Sequence, residues 1–200
     1  MARTKTPRGQ WLDRLPATFI HADARELGIS DWALTRLRRE HLLEQPSRGI
    51  YAKTDLDAFD HELLAIATRA PAATLCLRSA LARHDLIDDI PSRIDIALPV
   101  GTRPPALHLP ISWHRFAAAT FDIGRQELEL PPGPSIGIYS PERCIIDAFR
   151  LRRLEGPELG NEALRRWLRK HGSNPGQLIR LAAGFPRAEK PLRNALEILR

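Results

Sequence analysis

Among its 200 residues the chain has two cysteines, four lysines and no long apolar run. Cys76 and Cys144 form no CxxC pair, so neither a structural zinc site nor a disulfide framework is expected. Both stand in apolar stretches, Thr74-Leu-Cys-Leu77 and Cys144-Ile-Ile146, where a buried thiol is the expectation. No stretch approaches the ~20 apolar residues that cross a bilayer, and the basic start has no apolar segment behind it. No membrane partner and a cytoplasmic location are therefore expected.

Catalytic signatures are equally scarce. Lys5, Lys53, Lys170 and Lys190 all lie away from the strands expected in the body, which removes nucleases that pair an acidic strand with a lysine. The seven histidines, His21, His41, His61, His84, His108, His114 and His171, contain no i, i+4 pair and no HExxH, so no metal site is expected. A glycine-rich phosphate loop is missing too. A nucleotidyltransferase needs two carboxylates one residue apart on a strand to hold a magnesium pair. The suitable strand offers Asp95-Ile-Ala97, without the second carboxylate, and Asp88-Asp89 reads as turn chemistry before Pro91. We expect no enzyme, no catalytic residue and no cofactor.

What the chain does have is concentrated between Ile20 and Lys53. His21 to Leu27 reads as a helix, Gly28-Ile29 as a tight turn, and Ser30 as the cap of a second helix running to about Glu40. Leu42 to Lys53 reads as a hairpin turning at Pro46-Ser-Arg-Gly49. Ala24 is small where two steeply crossing helices meet, and Leu27, Ile29, Leu34 and Leu37 supply a shared core. Trp32, Thr35, Arg36 and Arg39 follow i, i+3, i+4, i+7 spacing on the opposite face. A helix-turn-helix followed by a two-stranded wing presents such a face to the major groove, with wing cations Arg48 and Lys53 reaching phosphates. Ser30, Trp32, Thr35, Arg36, Arg39, Arg48 and Lys53 are thus the expected contacts to double-stranded DNA. Tyr51 is expected in the hairpin core.

Charge is segregated along the chain. Residues 1–53 hold ten Lys or Arg against six Asp or Glu, residues 54–149 eight against thirteen, and residues 150–200 twelve against five. A DNA-reading head and a second cationic surface would produce this pattern. That second surface, Arg165, Arg166, Arg169 and Lys170, supports an alternative: an interaction module whose basic C-terminal helices dock an acidic protein. Arg3, Lys5 and Arg8 form a basic N-terminal arm.

The body reads as mixed α/β. Helices are expected over His61–Ala67 and Arg78–His84, and strands over Ala73–Leu77, Ile94–Leu98, Ile111–Phe116, Gln126–Leu130 and Ile136–Tyr139. Ser140-Pro-Glu-Arg143 starts a helix with Ile145, Ile146 and Phe149 inward, and helices continue to the end with breaks at 172–175 and 184–186. A structural role is expected for His84. The expected fold class is α+β: a winged helix-turn-helix domain over 1–54, then a mixed α/β domain over 55–200 ending in helices.

In order, these features resemble the AbiEi-type antitoxin and transcriptional-regulator family of type IV toxin-antitoxin systems. The matching pieces are Gly28-Ile-Ser30 through Leu34-Thr-Arg-Leu-Arg-Arg39, Leu42-Leu43 and Arg48-Gly-Ile-Tyr51. In the body they are Arg78-Ser-Ala80 with His84, Arg93-Ile-Asp-Ile-Ala-Leu-Pro99, and Ser140-Pro-Glu-Arg143 with Ile146-Asp147. Glu40-His41 departs from the pattern, in which a glycine often precedes the wing strand. The resemblance implies a repressor that binds operator repeats upstream of its own operon through the winged head. It further implies a C-terminal antitoxin domain opposing a nucleotidyltransferase-like toxin without a stable complex.

Overall fold

The computed structural model describes residues 12, 14–16, 18–47, 49–54, 58–130 and 134–199. The fold is mixed α+β and divides into two compact units. The first comprises Met1–Pro71 with Pro105–Leu109 and Leu128–Ile136; the second comprises Ala72–Pro104, Pro110–Glu127 and Gly137–Arg200.

In the first unit, β1 (Thr18–Ile20) leads into α1 (His21–Glu26), α2 (Asp31–Arg39), β2 (Leu43–Ser47) and β3 (Ile50–Lys53). The strands form an antiparallel sheet in the order β1-β3-β2. Phe19 faces Tyr51 in register across β1 and β3, and their rings stack at 5.4 Å. Between Glu44 and Ser47 the β2–β3 register shifts, and Pro46, which has no N–H to donate, sits in this irregular part of an edge strand. Below the sheet lies a core of Leu15, Phe19, Ala24, Ile29, Leu34 and Leu37 with neighbouring buried residues.

Helices α1 and α2 end in the same way. Gly28 takes φ +74°, its N–H donates to the Arg25 carbonyl, and the Ile29 N–H reaches back to Ala24. The end of α2 repeats these bonds, from His41 to Arg38 and from Leu42 to Leu37, with His41 at φ +53°. This is the Schellman arrangement, which favours glycine at the left-handed position. The departure seen at Glu40-His41 in the sequence is thus a histidine held where a glycine would be at ease. His41→Gly is expected to raise stability by about 0.5–1 kcal/mol, since relief of the left-handed penalty outweighs the added chain entropy. A urea midpoint that fails to rise would show that His41 makes compensating contacts.

The boundary expected at residue 54 falls inside this unit. Helix α3 (Ala58–Arg69) packs on β1 and β2 and buries Leu63, Leu64 and Ile66 completely. Its sequence shows an ordinary amphipathic helix and nothing that assigns its apolar face to one unit or the other.

The second unit is built on a five-stranded sheet. In chain order its elements are β4 (Thr74–Leu75), α4 (Leu77–Arg83), β5 (Ile94–Pro99), β6 (Ile111–Phe116), α5 (Ala118–Phe121), β7 (Arg125–Leu128) and β8 (Ile136–Tyr139). The sheet order is β6-β5-β4-β8-β7, with β4 antiparallel to β5 but parallel to β8, and β5 parallel to β6. Helices α6 (Pro141–Arg150), α7 (Arg152–Glu155), α8 (Pro157–Arg169), α9 (Pro175–Ala182) and α10 (Pro186–Leu199) follow. Ser140 caps α6 by accepting from the Arg143 N–H at 3.3 Å, with Pro141 in the first turn, as its sequence dictates. Helix α6 is the hub, packing against α4, α8, α9 and α10.

At the centre of that hub lies a charged group. Arg143 and Asp147 are fully buried, with Arg143 Nε 3.0 Å from Asp147 Oδ2 and Arg150 Nη2 2.8 Å from Asp147 Oδ1. Arg143 Nη1 donates to the carbonyls of Thr120 and Ile123, and its guanidinium lies 4.3 Å from the Tyr139 ring and 4.5 Å from Phe185. Gly124, at φ +72°, leaves the room: a Cβ there would stand 2.8 Å from Arg143 Cβ. Burial pushes the Asp147 carboxyl up, against the pull of the two guanidiniums.

Candidate nucleic-acid interface

Helix α2 divides cleanly into two faces. Ala33, Leu34 and Leu37 are buried in the head core, while Asp31, Trp32, Thr35, Arg38 and Arg39 are exposed. The Ser30 hydroxyl accepts from the Ala33 N–H at 3.3 Å and fixes where the helix begins. Asp31, in the positively charged first turn, is held by His21 at 2.7 Å and by Arg25 at 3.9 Å. These two contacts tie down an acidic group of the exposed face.

Trp32 is 64% exposed, and the Arg36 guanidinium lies 5.2 Å from its ring centroid. Arg36 Nε also donates to Glu40 Oε1 at 3.0 Å. These two contacts pre-position the arginine along the helix, so less side-chain freedom would be lost on meeting an anionic partner. The Thr35 hydroxyl donates to the Asp31 carbonyl at 2.9 Å, leaving its methyl and lone pairs outward. Arg39 is exposed and makes no ion pair among the described residues. Arg38, exposed beside it, is an addition to the expected face; its place in the Arg36-Leu-Arg-Arg39 run was the available signal.

Lys53 ends β3, half-buried and opposite Leu43 in register. Arg48, expected at the wing tip, lies outside the described residues, as do Arg3, Lys5 and Arg8 of the arm. Tyr51 is in the core, as expected.

The C-terminal cationic group is arranged differently from its sequence appearance. Arg166 is bonded by both Nη atoms to Asp88, at 2.8 Å for the longer contact, and its Nε lies 3.2 Å from Glu162. Lys170 Nζ donates to the His84 carbonyl and lies 3.9 Å from Asp85. Arg165 and Arg169 are exposed and unpaired among the described residues. Acidic residues of the middle of the chain therefore meet basic residues of its end. Half of the expected docking surface is occupied from within, and Arg166 holds the Asp88 carboxyl below the usual carboxylate range.

The chemical groups of the body are likewise engaged. Asp95, alone on its strand, lies 2.9 Å from His114 Nε2 on β6. His84 Nε2 donates to the Tyr139 carbonyl at 2.8 Å, and burial lowers its pKa, so the ring is neutral and structural. Burial pushes the Cys76 and Cys144 thiols well up, which makes them inert rather than nucleophilic. Among the described residues no group of three or more His, Cys, Asp or Glu could hold a metal ion, and no helix is long and apolar enough to cross a membrane. Compared with protein-family models and with curated proteins, the chain matches none.

Proposed function

We propose that the first unit is a winged helix-turn-helix head and that the protein is a DNA-binding repressor acting as the antitoxin of a type IV toxin-antitoxin system. In this reading it binds operator repeats upstream of its own operon, acts in the cytoplasm without catalysing a reaction, and opposes a nucleotidyltransferase-like toxin. The observation that carries the DNA-binding reading is the exposed face of α2. Trp32, Thr35, Arg36 and Arg39 stand together opposite a fully buried Ala33, Leu34 and Leu37, beside a hairpin ending in Lys53. The antitoxin part rests on the resemblance of the ordered motifs, from Gly28-Ile-Ser30 to Ile146-Asp147.

Arg36→Ala with Arg39→Ala is expected to weaken binding to the upstream region by about 2–6 kcal/mol, each good base contact contributing about 1–3 kcal/mol. A mobility-shift titration at fixed salt reads this directly. Affinity should also fall steeply with added salt, because phosphate contacts release counterions. Unchanged affinity of the double variant would remove α2 as the reading helix, and a footprint on upstream DNA reports half-site spacing. The alternative, docking of an acidic protein on the C-terminal helices, retains Arg165 and Arg169 as its free cations.

A further inference from the structure

The second unit contains a cleft of about 890 Å³, within the size range of small-molecule sites. Five cations line it: Arg150 at the end of α6, Arg152 and Arg153 on α7, and Arg187 and Lys190 early in α10. Among the described residues that line it, none is acidic. Of the acids nearest in sequence, two are engaged outside the cleft and the third pairs with Arg150 itself. Glu155 lies 3.6 Å from Arg78, Glu189 lies 2.9 Å from Arg193, and Asp147 is shared by Arg143 and Arg150. Arg153, Arg187 and Lys190 are exposed, with side chains that pair with no described residue. Like charges gathered in a concavity repel one another and raise the local concentration of anions.

Two of the arginines are rigidly mounted. Arg150, with its side chain 19% exposed, lies 4.5 Å from the Phe116 ring and is ion-paired with Asp147, while neither its buried Nε nor its buried Nη2 has a hydrogen-bond partner. Arg152 Nη1 donates to the carbonyls of Phe149 at 3.0 Å and Arg187 at 3.1 Å, tying α7 to the start of α10. The N-terminal turn of that 14-residue helix adds its partial positive charge. Leu154, 81% exposed, and the two prolines Pro186 and Pro191 give the cleft apolar surface as well.

We propose that this cleft binds a nucleoside di- or triphosphate, its phosphates held by Arg150, Arg153, Arg187 and Lys190 and its base laid on Leu154 and Pro191. Inorganic polyphosphate would leave the apolar surface unused. A polynucleotide backbone needs an extended track, whereas these cations converge on one concavity from three helices, α6, α7 and α10. The inference is separate from the operator reading, because none of its residues belongs to the first unit.

Isothermal titration calorimetry of the full chain at ionic strength of about 0.15 M, with ATP, GTP, CTP, UTP and tripolyphosphate, tests it. At least one nucleotide is expected to bind about tenfold more tightly than tripolyphosphate. Arg187→Gln with Lys190→Gln should weaken that binding at least about tenfold at an unchanged melting temperature. Arg165→Gln with Arg169→Gln, and Arg36→Ala with Arg39→Ala, should leave it intact. The proposal is overturned if no nucleotide binds, if tripolyphosphate binds as well as every nucleotide, or if Arg165→Gln with Arg169→Gln weakens binding equally. Displacement of the nucleotide by a lower concentration of a short single-stranded oligonucleotide would overturn it in favour of a nucleic-acid groove.

Discussion

Asp147→Asn is expected to destabilise the second unit by about 3–5 kcal/mol, the cost of leaving buried charge unpaired. Both carboxylate oxygens face guanidinium nitrogens, one from Arg143 at 3.0 Å and one from Arg150 at 2.8 Å. Asparagine keeps the volume but turns an NH2 group toward one of the two, replacing an acceptor by a donor. The loss falls where α6 meets α4, α8, α9 and α10, so the whole unit should feel it. Chemical denaturation followed by far-ultraviolet circular dichroism reads the shift; a change below about 1 kcal/mol would mean that water reaches the arginines. Replacing Arg143 and Asp147 together by Met and Leu should recover only part of the loss, because it also takes from the Thr120 and Ile123 carbonyls the donor that Arg143 supplies.

Leu37→Ala is expected to cost about 2–5 kcal/mol in the first unit, where it empties the side of α2 that faces the core. Leu37 is 1% exposed and packs within a small cluster, so few other contacts remain to hold the helix. Its carbonyl also accepts the Leu42 N–H that closes the helix. Hydrogen exchange should show the amides of α2 and β3 exposed early while those of β5 and α6 keep their protection. On the reading proposed above, this variant loses DNA affinity together with head stability. Arg36→Ala with Arg39→Ala loses affinity alone, and a Leu37→Ala head as well protected as the parent would show that the site collapses around the missing atoms.

The head could be read closely from its sequence because each of its signals is local. Ser30 as cap, Gly28 in the turn and the spacing of Leu34 and Leu37 set α2 within a residue of its place, and only the buried Ala33 adds to that reading. Strand β1 is not legible in the sequence: three residues show no alternation, and their pairing with Ile50, Tyr51 and Ala52 is long-range. In the body, Ile111–Phe116 and Ile136–Tyr139 stand as expected, while the four-residue helix α5 was too short to give a period. The Arg143–Asp147 pair has a legible sign, an i, i+4 ion pair within the otherwise apolar run from Arg143 to Phe149. Its central position was not legible, since it depends on Phe116, Tyr139 and Phe185 arriving from three other segments. The same limit governs charge: Asp88 and Arg166 are far apart in sequence, so counting by segment recorded as surplus what folding neutralises.

The exposure of Trp32 has an optical consequence. Its indole stands in water under a guanidinium, whereas Trp167 is 3% exposed with its N–H bonded to Glu142. The two rings therefore emit from opposite environments, and a collisional quencher in solvent reaches one far more readily than the other. The face of α2 carries its own fluorophore, and anything that covers it alters the colour and lifetime of light the chain already produces.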